Sequence, residues 1–166
     1  IRGQVDRHAG DNSHPVAVEA PGRPPLTYEG LARQIRHVGE TLALAGVGPS
    51  DRVALVLPQG AEAAVAIVAV AANAACAPLN PALPLYELEQ QLTALRAQIL
   101  IVPHGWESPL LALATSLNMR TLQLLPEPGS AAGSFSLTGA GGPLRDARPV
   151  ASTAAGPLLR FTSCPP

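Results

Sequence analysis

The groups with which this 166-residue chain could do chemistry are four histidines, two cysteines, twelve carboxylates and eleven basic residues, all of them Arg. There is no Lys. Schiff-base chemistry, and any phosphate site that needs a Lys, therefore have no residue to work with here. His8, His14, His37 and His104 are scattered, and no two have the spacing that puts paired ligands on one helix face, so no metal site is expected. His37 falls on the polar side of a helical stretch and is expected to be solvated. Cys76 and Cys164 fit no metal-binding pattern and are expected to be free thiols. Glu87 and Glu89, two apart on a helix, point away from each other and suit a solvated helix start better than an acid/base pair. Gly139-Ala140-Gly141-Gly142 has the glycines of a phosphate loop. It lacks a strong strand before it, and Pro143 stands where a helix should begin. Ser163 precedes Cys-Pro-Pro and is not in a nucleophile elbow. No self-contained catalytic set is present.

The elements that must position these groups follow from periodicity. Leu31, Ile35, Val38, Leu42 and Ala45 recur at helical spacing, with Thr27 as N-cap and a Leu26–Leu31 staple at the start. Gly46 or Gly48 ends that helix. A short helix is expected over residues 1–10 and a short strand at 16–18. Four apolar runs, 52–57, 76–79, 99–102 and 121–125, read as strands buried on both faces. Helices are expected near 28–45, 61–72, 85–96 and 109–118, the last capped by Ser108 with Pro109 at its first position. The repeated strand–helix–strand order predicts an α/β fold, a mostly parallel Rossmann-like sheet covered by helices on both faces. The expected core is Leu31, Ile35, Val38, Leu42, Val53, Leu55, Leu57, Val65, Val68, Leu100 and Val102.

The net charge of −1 gives no electrostatic footprint for nucleic acid. Residues 63–86 carry no charge, but the apolar part before Asn73 is too short to span a bilayer, so no membrane segment is expected. No signal peptide pattern is visible, and a cytoplasmic location is expected. Residues 126–156 are rich in Gly, Pro, Ser and Ala and read as a loop or linker. This divides the chain into an α/β part at 1–125, the loop at 126–156, and a strand-like end at 157–166.

Four phrases then occur in order: Leu26-Thr27-Tyr28-Glu29-Gly30-Leu31, Gly46-Val47-Gly48-Pro49-Ser50-Asp51-Arg52-Val53-Ala54, Leu57-Pro58-Gln59-Gly60 and Ala77-Pro78-Leu79-Asn80-Pro81. Their succession resembles the N-terminal part of the adenylate-forming enzymes: acyl-CoA synthetases, adenylation domains of peptide synthetases, and luciferases. The likeness covers nearly the whole chain up to Ser163, except 126–156. Glu19 to Tyr28 together with Cys76 to Pro81 resembles the oxalate–CoA ligase branch.

The resemblance implies a ligase that joins a carboxylic acid to ATP as an acyl-adenylate and passes it to a thiol. It implies ATP, Mg²⁺ and coenzyme A for the full-length family, with an acid and ATP as partners. In the family a strand leads into a loop reading Thr-Ser-Gly-Thr-Thr-Gly, then Pro-Lys-Gly, that wraps the phosphates. Leu158 to Phe161 match the strand, and Thr162 and Ser163 match the first two loop residues. Cys164, Pro165 and Pro166 depart from it, and proline has no N–H to donate. The expectation is an N-terminal fragment, truncated at the start of the phosphate loop, with no catalytic residue and no tight cofactor binding. Asn73 stands where relatives often have Gly.

A different class of reading is a non-catalytic interaction or scaffold module that associates through exposed apolar surface. A Rossmann-type dinucleotide binder is disfavoured, because the turn after Leu57 carries one glycine, Gly60.

Overall fold

Consecutive residues of the third strand face opposite helical layers. That alternation organises the computed structural model, which describes Gly3, Val5 and residues 15–139. The strands are β1 (Val16–Val18), β2 (Leu26–Thr27), β3 (Arg52–Val56), β4 (Ala75–Leu79), β5 (Ile99–Pro103), β6 (Arg120–Pro126) and β7 (Phe135–Gly139). The helices are α1 (Tyr28–Leu44), α2 (Ala61–Ala71), α3 (Leu85–Leu95) and α4 (Pro109–Ser116). β1 and β2 form a small antiparallel pair. The other five strands form one sheet in the order β4-β3-β5-β6-β7. The first four of these run parallel, and β7 is antiparallel to β6.

Val53 and Leu55 point into a core shared with α1 and α2, along with Ile99, Ile101, Leu122 and Leu124. Ala54 and Val56 point the other way, into a core with α3 and α4 that includes Leu100 and Val102. A strand covered on both faces must be apolar at every position, which is why these runs do not alternate.

Local signals set the helix ends. The Thr27 hydroxyl accepts from the Gly30 N–H at 3.1 Å, and the Ser108 hydroxyl accepts from the Leu110 N–H. Leu26 and Leu31 are both buried in one cluster. At the end of α1 the Val47 N–H donates to Leu42 O and the Gly46 N–H to Ala43 O, with Gly46 at φ +74°. That is the Schellman arrangement, which needs a left-handed residue at Gly46. Asn73 donates its side-chain N–H to Ile35 O and Ala69 O, tying α1 to α2 where a glycine could not.

Two expectations need correction. Residues 126–156 are not all loop: 135–139 form β7, because Phe135 and Leu137 alternate with polar residues. Phe135 is only 2% exposed, and its carbonyl accepts from Gln34 Nε2 at 2.6 Å. Val68 is only partly buried. The stripe of α2 that meets the sheet is Val65, Ala66, Ala69 and Val70, and Val68 lies beside it. The expected helix over 1–10 lies outside the described residues except at Gly3 and Val5, which are helical.

Among the described residues β4 is one edge of the sheet. The Ala75 N–H points inward, to Asp51 O. Position 78 therefore faces outward, and Pro78 there has no N–H to offer to an added strand. Among the described residues no helix is long and apolar enough to cross a membrane.

Candidate functional site

The chain leaves β3 through α2 on one face and leaves β5 through α4 on the other. Neighbouring strands whose connections diverge open a crevice at their carboxyl ends, and ligands of open α/β sheets bind there. In this chain that crevice is a cleft of about 100 Å³ between Leu57, Pro58, Gln59, Gly60, Pro103 and Pro126. A larger cavity, about 540 Å³, lies at the opposite end, by the amino ends of β5 and β6. Size alone would favour the larger one. Topology favours the carboxyl end, since the diverging connections leave from there.

The first turn of α2 borders the small cleft. Gly60 caps it without a side-chain hydrogen bond, so its N–H groups would suit an anion. Glu62 places a carboxylate in the first turn, and the Arg23 guanidinium donates to Glu62 Oε1 at 2.7 Å. Arg23 also donates to the carbonyls of Ser130, Glu127 and Ala131, at 3.2, 2.7 and 2.8 Å. One side chain thus joins the β1–β2 turn, the start of α2 and the β6–β7 loop. The Ala132 N–H adds a bond to Pro24 O at 2.8 Å. The turn has one glycine and a built-in counter-charge, so it does not form a dinucleotide loop.

The sequence-expected site residues fall as follows. Thr162, Ser163 and the expected strand before them lie outside the described residues, as do Cys164, His8 and His14. Gly139 ends β7, and the rest of Gly139-Ala140-Gly141-Gly142 also lies outside. His37 and His104 are exposed on different elements. Among the described residues no three His, Cys, Asp or Glu side chains are grouped to hold a metal ion. Glu87 accepts from the Tyr86 hydroxyl at 2.9 Å, and Glu89 is exposed. That hydrogen bond, and then the Glu87 charge, hold the Tyr86 phenol above its usual range. Cys76 is 1% exposed and burial pushes its thiol up to about 12, so it is protonated at neutral pH and is no nucleophile.

Sequence reasoning missed Arg23 and Glu62. A signal was present in Glu62, the single charged residue of α2 in an otherwise apolar helix.

The AMP-binding enzyme family model matches residues 5–149. The chain belongs to that family. Among solved structures, apo MatB from Rhodopseudomonas palustris aligns with a TM-score of 0.63 at 24% identity, covering 84% of this chain and 30% of MatB. The ATP-bound form of MatB aligns with a TM-score of 0.66 at 24% identity, over 84% of this chain and 29% of MatB. The o-succinylbenzoate CoA synthetase MenE from Bacillus subtilis, in complex with the acyl-adenylate OSB-AMP, aligns with a TM-score of 0.62 at 20% identity, over 70% of this chain and 30% of MenE. At these identities the likeness is one of fold. The chain spans about 30% of the length of these relatives. No curated protein sequence gives a match.

Proposed function

We propose that this chain is the N-terminal scaffold of an ATP-dependent acid–thiol ligase of the acyl-CoA synthetase type, and that the chain by itself forms no adenylate. The match of the AMP-binding enzyme family over residues 5–149 carries this reading. It is supported by the fold shared with the ATP-bound and adenylate-bound relatives. In this reading the carboxyl ends of β3, β5 and β6 form one wall of the nucleotide site. Arg23 holds that wall in shape, and Thr162 and Ser163 begin the phosphate loop.

The chemistry of that loop explains the expected inactivity. Pyrophosphate departure needs several N–H donors and a cation aimed at the phosphates. The chain has no Lys, and Pro165 and Pro166 have no N–H. Mg²⁺ would balance phosphate charge in the whole enzyme, and coenzyme A is the proposed acceptor. The oxalate-like phrases Glu19 to Tyr28 and Cys76 to Pro81 make oxalate the first acid to try. The proposed compartment is the cytoplasm.

A chimera tests the scaffold role. Residues 15–139 would replace the matching segment of the R. palustris MatB, and ATP affinity would be measured by calorimetry alongside the unfolding midpoint. A folded chimera that keeps ATP binding within about tenfold of the parent supports the reading. A chimera that folds as stably as the parent and no longer binds ATP contradicts it.

A further inference from the structure

We infer that the larger cavity, at the amino end of the sheet, binds a small organic anion with a carboxylate or phosphate head and a short apolar body. The cavity is about 540 Å³, within the range of roughly 300–1,000 Å³ typical of small-molecule sites. Arg96, Arg120, Gln98 and Asn118 supply its polar wall, and Leu92 and Leu117 supply apolar wall. Among the described residues no carboxylate lines it.

Three helices end here, and each ends in a left-handed residue that lines the cavity: Gly46 at φ +74°, Arg96 at +49° and Asn118 at +55°. Arg96 and Asn118 are the two non-glycine residues with positive φ among the described residues. Glycine is the easy choice at such a position, and a long cationic side chain there carries a conformational cost.

The sign of the charge decides the ligand. Three helix C-termini contribute about −0.5 charge each, which alone would favour a cation. Two of these ends are already met by arginine: Arg120 donates to Ala45 O beyond α1, and Arg52 Nη1 donates to Leu95 O of α3 at 2.8 Å. Of the cavity's own lining residues, Arg96 and Arg120 bring two full positive charges against about −1.5, so the net field is positive, and Arg52 adds to it from behind the Leu95 carbonyl. The Arg96 backbone N–H donates to Thr93 O, while its guanidinium makes no ion pair or hydrogen bond among the described residues. Gln98 uses its carbonyl oxygen to accept from the Arg52 N–H at 2.7 Å, which leaves its NH₂ as the unused donor. A guanidinium and an amide NH₂ beside leucine side chains match a charged head on a short hydrocarbon.

The test uses the 166-residue chain, followed by amide NMR shifts during titration with hexanoate, hexyl phosphate and hexanol. Both anions should shift Gly46, Gln98 and Asn118 saturably, and hexanol should bind at least tenfold more weakly. Comparison of the two anions tells whether the carboxylate or the phosphate head is preferred. Arg96→Gly removes the guanidinium at a backbone position that glycine adopts freely, so folding is retained. It should weaken anion binding at least tenfold, Arg96→Lys should recover part of it, and Arg33→Gln on α1 should change nothing. The inference is overturned by equal binding of hexanol, by full affinity in Arg96→Gly, by an equal loss in Arg33→Gln, or by shifts confined to Gln59 and Gly60 at the other end of the sheet.

Discussion

Arg23 and Glu62 meet at 2.7 Å across 39 residues of sequence, with both side chains about four-fifths buried. The pair fixes the start of α2 against two loops at the carboxyl edge of the sheet. Arg23→Ala removes four hydrogen bonds at once and leaves three carbonyls and a carboxylate without that partner. The expected loss is about 2–3 kcal/mol, since bonds to charged groups are worth more than neutral ones and water replaces part of them. Glu62→Gln keeps an acceptor and should cost about 1 kcal/mol. Urea unfolding of both variants and of the double mutant measures this, and an additive double mutant would show that the two residues do not interact.

Gly133 sits at φ +78° with no room for a side chain. A Cβ there would lie 2.5 Å from Val65 Cγ2 and 2.9 Å from the Ala61 carbonyl oxygen. Gly22 has a similar φ of +72° and open space around it. Gly22→Ala should therefore cost about 1 kcal/mol for backbone strain alone. Gly133→Ala should cost about 1–3 kcal/mol more, because the Ala61 backbone carbonyl as well as the stiff Val65 side chain blocks the new methyl. Equal unfolding midpoints for the two variants would contradict the packing of the β6–β7 loop on α2.

Leu55 is 1% exposed in β3, at the centre of the sheet. Leu55→Ala should cost about 2–5 kcal/mol, the usual range for a packed leucine. An unchanged midpoint in thermal unfolding would contradict its placement.

Burial raises the Cys76 thiol from 9.0 to about 12. The unfolded chain therefore releases this proton first. The contribution is fully present below pH 9.0 and is lost as pH rises toward about 12. In a Cys164→Ser background, stability should fall over that window, and Cys76→Ala should flatten the fall. The native thiol should resist alkylation at neutral pH until denaturant is added. Rapid alkylation of the native chain would show that Cys76 is accessible.

Most of the sheet was legible because its strands are buried on both faces. Val53 to Val56 and Ile99 to Val102 are continuous apolar runs, and the helices between them carry a clear period. β7 was hidden because its five residues sit among glycines, serines and prolines, although Phe135-Ser136-Leu137-Thr138 has the alternation of a half-buried strand. The Arg23 cluster was hidden for another reason. Its partners lie 39 to 108 residues away, and no local pattern records a contact of that separation. The proposal that Thr162 and Ser163 begin a phosphate loop rests on resemblance, since two hydroxyls in sequence carry no chemistry of their own.

The proposal is that this chain is scaffold of an adenylate-forming ligase and that these 166 residues by themselves do not hold a triphosphate. Calorimetry of the purified 166-residue chain with Mg·ATP, followed by pyrophosphate exchange with a panel of small acids that includes oxalate, tests it most directly. Two hydroxyls, without a loop Lys or the later N–H donors, cannot offset the ordering cost of the nucleotide. The predicted result is no ATP binding in the micromolar range and no acid-dependent exchange above the blank. Micromolar ATP affinity, or exchange that rises with any one acid, would contradict the account and make the chain a working enzyme.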